Sequence, residues 1–244
     1  VAEIKLPDDM PRNIFYGLPR DDVGRPVPFF VEYIDGKPDF RIMNSRNMRR
    51  AIVENLCWVC GRRLTRGTGT FVAGPMCVIN RTSAEPPSHY DCARWSARAC
   101  PFLTKPAKER RETNMPADMA EPPGVMIARN PGCTALIVST KWSHFRPPIG
   151  QGLLWRFNIE RVEWMAEGRG AALDEVWTSV ETGISALVDM ADKQDAEEGG
   201  RAARYALAQQ VNDSLIEWFP DQPTNEGMRA YPNIIRALTP QFAD

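Results

Sequence analysis

Histidine is scarce in this chain: only His89 and His144 occur in 244 residues. That scarcity excludes sites built from several imidazoles. Long apolar runs are also absent. No stretch approaches the roughly 18 consecutive apolar residues a membrane-spanning helix needs, and Val1-Ala2-Glu3-Ile4-Lys5 has no apolar core of the kind a secretory leader carries. A strong net charge is missing too. The formal charge is −1 and the sequence pI about 6.2, unlike a general nucleic-acid binder. No Gly-x-Gly-x-x-Gly follows a strand pattern, and Glu167-Gly168-Arg169-Gly170 lacks the Gly-Lys-Ser/Thr ending of a phosphate-binding loop. Cysteines number six, too few and too unevenly spaced for the disulfide framework of a small secreted domain. The reading is a cytoplasmic protein whose paired cysteines serve a metal.

Two pairs stand out among what is present: Cys57-Trp58-Val59-Cys60 and His89-Tyr90-Asp91-Cys92. Together they offer three sulfurs and one imidazole, a donor set that suits tetrahedral Zn²⁺. The Cys-x-x-Cys pair fits a tight turn, with Gly61 directly after it. The i, i+3 spacing of His89 and Cys92 puts both on one helix face. A helix N-terminus also favours thiolate, because its dipole end is positive. Four protein ligands leave no open coordination position, which points to a structural site. Cys77 or Cys100 is the alternative fourth ligand in place of His89, though each also fits a buried free thiol. Cys133 reads as an unrelated free thiol. No His lies between residues 61 and 88, so a nuclease of the HNH type is not indicated. The His-x-Glu and Pro-Cys-x-x-Cys strings of zinc deaminases are missing as well.

The apolar patterning gives an α+β fold. Residues 1–27, rich in Pro, Asp and Arg, read as an irregular arm. Residues 28–43 read as a hairpin turning at Asp35-Gly36. A helix over 46–56, capped by Asn44 or Ser45, carries Met48, Ile52 and Leu56 on one stripe. Residues 64–80 read as a second hairpin, with Cys77-Val78-Ile79 in its returning arm. Ser88 is placed as the cap of a helix over 89–100, ended by Pro101. Knuckle, hairpin and ligand helix together describe a treble-clef-like zinc module. The expected organisation is an N-terminal zinc-module region (1–103), a linker or surface loop (104–123) and an α+β region (124–244) that can pack with the first as one unit. In the last region, strands are expected at 125–127, 134–138, 153–157 and 161–165, forming a small antiparallel sheet flanked by C-terminal helices. Leu173, Val176, Val180, Ile184 and Leu187 mark one helix, with Gly183 a candidate break. Leu207, Val211 and Leu215 mark the next.

Charge is unevenly spread. Residues 1–120 hold 19 Lys+Arg against 14 Asp+Glu, and residues 121–244 hold 11 against 17. The basic half is the half with the metal motif. Arg49, Arg50, Arg63, Lys105 and Lys108 are its candidate nucleic-acid contacts. The plainer reading is two solvated surfaces. In the second half, Lys141-Trp142-Ser143-His144-Phe145-Arg146 could stack on a base or clamp a phosphate, or form an amphipathic loop. His144, Glu163 and Arg169 are the candidate catalytic residues of an alternative reading, an enzyme with its site in the 125–170 sheet and a purely structural zinc. Trp142, Trp155, Trp164, Trp177 and Trp218 offer an interface or a core.

Several strings resemble a group of uncharacterised proteins of bacteriophages and bacterial genomes. They are Gly24-Arg25-Pro26-Val27-Pro28-Phe29-Phe30-Val31, Asp35-Gly36-Lys37-Pro38-Asp39-Phe40-Arg41 and Cys57-Trp58-Val59-Cys60-Gly61. Gly74-Pro75-Met76-Cys77, Glu85-Pro86-Pro87-Ser88-His89, Cys100-Pro101-Phe102-Leu103, Asn130-Pro131-Gly132, Glu163-Trp164 and Glu167-Gly168-Arg169 follow. The resemblance spans most of the chain and implies a phage or prophage context, without assigning catalytic residues. The functional expectation is a non-enzymatic, zinc-stabilised binding protein contacting nucleic acid or a host protein in the host cytoplasm, as a host-takeover or anti-defence factor, with no membrane partner.

Overall fold

The computed structural model describes residues 8–106, 108–110, 113, 115, 129–147 and 152–218, with side chains of 212 and 215–218 outside the description. The expected strand at 125–127 and the side chains of Leu215 and Trp218 therefore lie outside the described residues.

The architecture is α+β with small antiparallel sheets and C-terminal helices. Its centre is a four-stranded antiparallel sheet in the order β3 (Gly69–Ala73), β5 (Thr134–Ser139), β8 (Arg161–Ala166), β9 (Arg169–Gly170). β5 is buried on both faces, which explains its unbroken apolar sequence Ala135-Leu136-Ile137-Val138. Leu136 faces α4 (Tyr90–Ala99), meeting Ala93 and Ala97. Ala135 and Ile137 face the opposite way, with Phe71, onto Trp155 and Phe157. Those two rings belong to a three-stranded sheet ordered β4 (Thr82–Ser83), β7 (Leu154–Phe157), β6 (Trp142–Phe145). α4, the four-stranded sheet and the three-stranded sheet thus stack in layers. Strands from before residue 104 and after residue 123 share both sheets: β3 pairs with β5 and β4 with β7.

The expected first hairpin forms from β1 (Val31–Ile34) and β2 (Lys37–Met43). Its turn residues, Asp35 and Gly36, both have positive φ (49° and 76°), as a type I′ turn requires. α2 (Ser45–Glu54) follows, capped by the Asn44 side chain accepting from the Asn47 N–H at 2.8 Å.

The second expected hairpin does not form. After β3, Pro75 occupies the first turn of α3 (Pro75–Asn80), so Cys77-Val78-Ile79 is helical rather than a returning strand. Proline's missing N–H and fixed φ favour a helix start, and β3 finds its partner in β5 instead. Nor is Ser88 the cap of α4. Its N–H and carbonyl pair with Thr70, each at 2.8 Å, and His89 takes the N-cap position. The N-terminal arm is also more ordered than expected. α1 (Arg12–Phe15) and the Arg20–Pro26 bridge fold residues 8–27 onto the knuckle, with Ile14 fully buried.

Gly183 does not break the long C-terminal helix: α5 (Leu173–Glu198) runs through it. A Cβ there would sit 3.0 Å from Met76 Cγ, so glycine is what lets α3 approach α5 closely. Val176, Val180, Ile184 and Leu187 form the buried stripe, joined by Leu207 and Val211 of α6 (Ala202–Trp218), while Leu173 is exposed. Trp155 and Trp177 are core rings. Among the described residues no helix is long and apolar enough to cross a membrane.

Because Ile137 is fully buried between the sheets, Ile137→Ala should lower unfolding stability by about 2–5 kcal/mol in urea denaturation. Val53→Ala, at an 84% exposed position, should change it by less than about 0.5 kcal/mol.

Candidate metal centre

Leu56 and Arg63 pair across a short bridge, and the chain between them forms the knuckle. The Cys57 N–H donates to the Arg62 carbonyl (2.7 Å) and the Gly61 N–H to the Cys57 carbonyl (2.9 Å). Gly61 has φ of 70°, and an added Cβ would lie 2.7 Å from Phe29 Cδ2. The turn thus needs glycine for its backbone and for the ring packed on it. The second pair arrives from the start of α4, with His89 at the N-cap and Cys92 in the first turn.

The fold brings all four donors together: the ligand atoms of Cys57, Cys60, His89 and Cys92 lie within 4.8 Å of one another, three of the residues buried. They can hold a metal ion. His89 Nδ1 lies 3.4 Å from Cys60 Sγ and 3.8 Å from Cys92 Sγ. A sulfur and a nitrogen sharing one tetrahedral ion, with bonds of about 2.3 and 2.0–2.1 Å, would stand roughly 3.6 Å apart. His89 Nε2 is 3.0 Å from the Arg63 carbonyl. That acceptor places the ring proton on Nε2 and leaves the Nδ1 lone pair facing the sulfurs.

Each sulfur that would carry charge has an N–H aimed at it. Cys57 Sγ accepts from the backbone N–H of Cys60 and of His89, both at 3.4 Å. The amide of Asn13 spans the other two, donating to Cys60 Sγ at 3.2 Å and Cys92 Sγ at 3.1 Å. Sequence reading missed Asn13. It lies 47 and 79 residues from its partners, and no local spacing marks it.

The electrostatics are those of crowded donors. Burial pushes the Cys57 thiol up, but hydrogen bonds involving Cys60, Cys92 and His89 outweigh it and bring it well below the ordinary range. Hydrogen bonds to Cys57 and then Cys60 raise His89 to about 10. Neighbouring Cys57 and Cys60 push Cys92 up. Metal binding to such donors displaces the protons they hold.

The alternate ligands lie elsewhere. Cys77 is on α3 and Cys100 ends α4. Burial, then the charge of Glu85, pushes Cys77 up to about 11, and burial raises Cys100 too. Neither belongs to the four-donor group. No other group of three His, Cys, Asp or Glu among the described residues shares such a geometry.

The candidate catalytic residues are not brought together. His144 is exposed on β6, its ring 6.3 Å from that of Trp155. It lines a cleft of about 110 Å³ with Trp142, Pro87 and Leu64, a lining that includes neither Glu163 nor Arg169. Glu163, on β8, accepts from the Tyr90 hydroxyl and lies 3.6 Å from Arg94 Nε. Arg169 forms a two-pronged pair with Glu175 at 2.7 and 2.8 Å. Of the candidate nucleic-acid contacts, Arg49 and Arg50 are exposed on α2 and Arg63 is exposed beside the knuckle. Arg50 pairs with Glu54 at 3.0 Å and covers the Phe29 ring. Lys105 and Lys108 are exposed after α4. Their segment is tied back by Arg110, which donates to the Arg41 carbonyl at 2.6 Å.

The chain matches no protein-family model, no curated protein and no solved structure.

Because the donors must shed protons to bind a cation, metal affinity should fall as pH falls, by about tenfold per pH unit for each proton displaced. Competition against a chromophoric chelator between pH 8 and 5.5 measures this. Glu85 generates a separate effect. Burial, opposed by Arg110, raises its carboxyl from 4.5 to about 7. The folded state holds that proton more tightly than the unfolded chain, so the stability contribution is full below about pH 4.5 and is lost as pH rises through 7. Glu85→Gln should remove this part of the decline in urea midpoints between pH 5 and 8.

Proposed function

We infer that this protein is a non-enzymatic binding protein whose Cys57, Cys60, His89 and Cys92 hold a structural Zn²⁺, and that its basic N-terminal surface contacts nucleic acid. The observation carrying the zinc assignment is a donor set of three sulfurs and one imidazole nitrogen within 4.8 Å, in a buried site. Such donors favour zinc over hard cations, which prefer oxygen. Four protein ligands complete a tetrahedron, so the ion would act as a cross-link between the knuckle and α4 and leave no position for substrate. The comparison with a treble clef rests on the knuckle and the ligand-bearing helix; the segment between them carries β3, α3 and β4 in place of a hairpin.

The binding surface is argued from charge. Arg49, Arg62, Arg63 and Arg66 are exposed on α2 and around the knuckle, where phosphate contacts would be mounted on a cross-linked base. The separate engagements of His144, Glu163 and Arg169 support the non-catalytic reading. Thiolate ligands and six unpaired cysteines suit a reducing compartment such as a host cytoplasm. A phage or prophage setting would make the contact part of host takeover or defence evasion, and a host protein the other candidate target.

Single- and double-stranded DNA and RNA should each be titrated at about 50 mM salt. The expected result is binding that weakens steeply by 200 mM salt. It should fall at least about tenfold when Arg49, Arg50 and Arg63 are replaced together by Gln, with zinc content unchanged. Absence of binding to any of these at low salt removes the nucleic-acid assignment and leaves the zinc assignment standing.

A further inference from the structure

We propose that the N-terminal segment, residues 8–27, is a metal-dependent latch: loading of the four-donor centre docks it through Asn13, and metal loss releases it. This rests on the zinc assignment above and adds a second role for the ion.

Residues 9–18 of the segment are attached at the metal centre, while Arg25 further along lies 4.9 Å from the Phe40 ring centroid. Asn13 Nδ2 sends one proton to Cys60 Sγ and the other to Cys92 Sγ (3.2 and 3.1 Å). Ile14 is fully buried in a cluster made of Cys57, Val59, Cys60, Leu64, Cys92 and Trp95, and Met10 and Leu18 pack against the same cluster. Asp9 bridges to Arg94 (3.4 Å) and to Arg98 on α4, the ligand helix. Within the segment, Gly17 permits the tight turn that follows α1, because a Cβ there would collide with the Asn13 carbonyl oxygen.

The metal dependence follows from the sulfurs. Three thiolates and a neutral imidazole around a dication leave one net negative charge, buried and in need of donors. Cys57 has two backbone N–H groups, whereas among the described residues outside the donor set the side-chain donor aimed at Cys60 and Cys92 is the amide of Asn13. Bonds from N–H to thiolate are charge-assisted. Without the cation nothing fixes the spacing of Cys60 Sγ and Cys92 Sγ, which the Asn13 amide spans. The amide then loses its paired acceptors, and the surface under Ile14, built from Cys57, Cys60 and Cys92, loses the cross-link that shapes it. Linkage makes the effect reciprocal: the factor by which metal favours docking is the factor by which docking raises metal affinity.

The latch also carries a surface. Phe15 and Tyr16 are 51% and 77% exposed and pack edge-on at 4.7 Å, with Arg20 5.4 Å from the Phe15 ring centroid. This aromatic and basic pair would be held in place only in the loaded protein.

The test uses the full chain and Zn²⁺ alone. Hydrogen exchange of the zinc-loaded and chelator-stripped wild type should show residues 9–18 exchanging at least about tenfold faster without metal, with Leu136–Val138 of β5 changing little. Asn13→Ala should bind zinc about 10–100-fold more weakly. In the cobalt-substituted variant the sulfur-to-metal charge-transfer bands should shift, a change that loss of packing alone would not produce. If wild type binds one zinc per chain, yet residues 9–18 keep the same protection with and without it, the latch is wrong and the zinc assignment stands. Equal zinc affinity of Asn13→Ala and wild type also overturns it. Equal loss of protection at Leu136–Val138 overturns it too, since the metal would then hold the whole fold. Failure of the wild type to bind zinc removes both.

Discussion

Three sulfurs and an imidazole nitrogen crowded within 4.8 Å are the constraint around which this protein is arranged. Donors that close cannot all carry their charge without a cation or protons between them, and the raised His89 and Cys92 and lowered Cys57 express that competition. Three pieces of chain meet there: the knuckle, the first turn of α4 and the N-terminal segment through Asn13. The constraint reaches the core through α4, whose Ala93 and Ala97 pack on β5 at Leu136.

β5 is the second organising element. Both of its faces are buried, one against α4 and one against the rings of the three-stranded sheet. It is hydrogen-bonded on both edges, to β3 and β8. Its pairing with β3 joins the region of the four donors to the chain beyond residue 123. The C-terminal helices form a separate apolar cluster that leans on α3 and on the end of this sheet.

Four protein donors saturate a tetrahedral ion, and the titratable residues of the second half serve ion pairs and hydrogen bonds on different elements. Exposed side chains of the first half include Arg49 on α2, Arg62, Arg63 and Arg66 around the knuckle, and Phe15 and Tyr16 on the N-terminal segment.

The sequence by itself determined the features whose physics is local. The Cys-x-x-Cys turn and the i, i+3 spacing of His89 and Cys92 set donor geometry over a few residues. Asp35-Gly36 sets a turn by its positive φ values, Asn44 caps α2 through a contact three residues away, and the apolar runs at β5 and α5 declare burial through their periodicity. Misreadings arose where distant partners decide. The 75–80 segment has strand-like residues, but Pro75 starts a helix once β3 is claimed by β5. Ser88 has a capping side chain, yet its backbone is engaged by Thr70. Gly183 stays in a helix because Met76 packs against it. Asn13 carries no local signal at all, since its partners are sulfurs 47 and 79 residues away. The donors of the metal site were legible because their spacing is a short-range property. The groups that position those donors were left to the tertiary structure, because hydrogen bonds between distant segments exist only after the chain has packed.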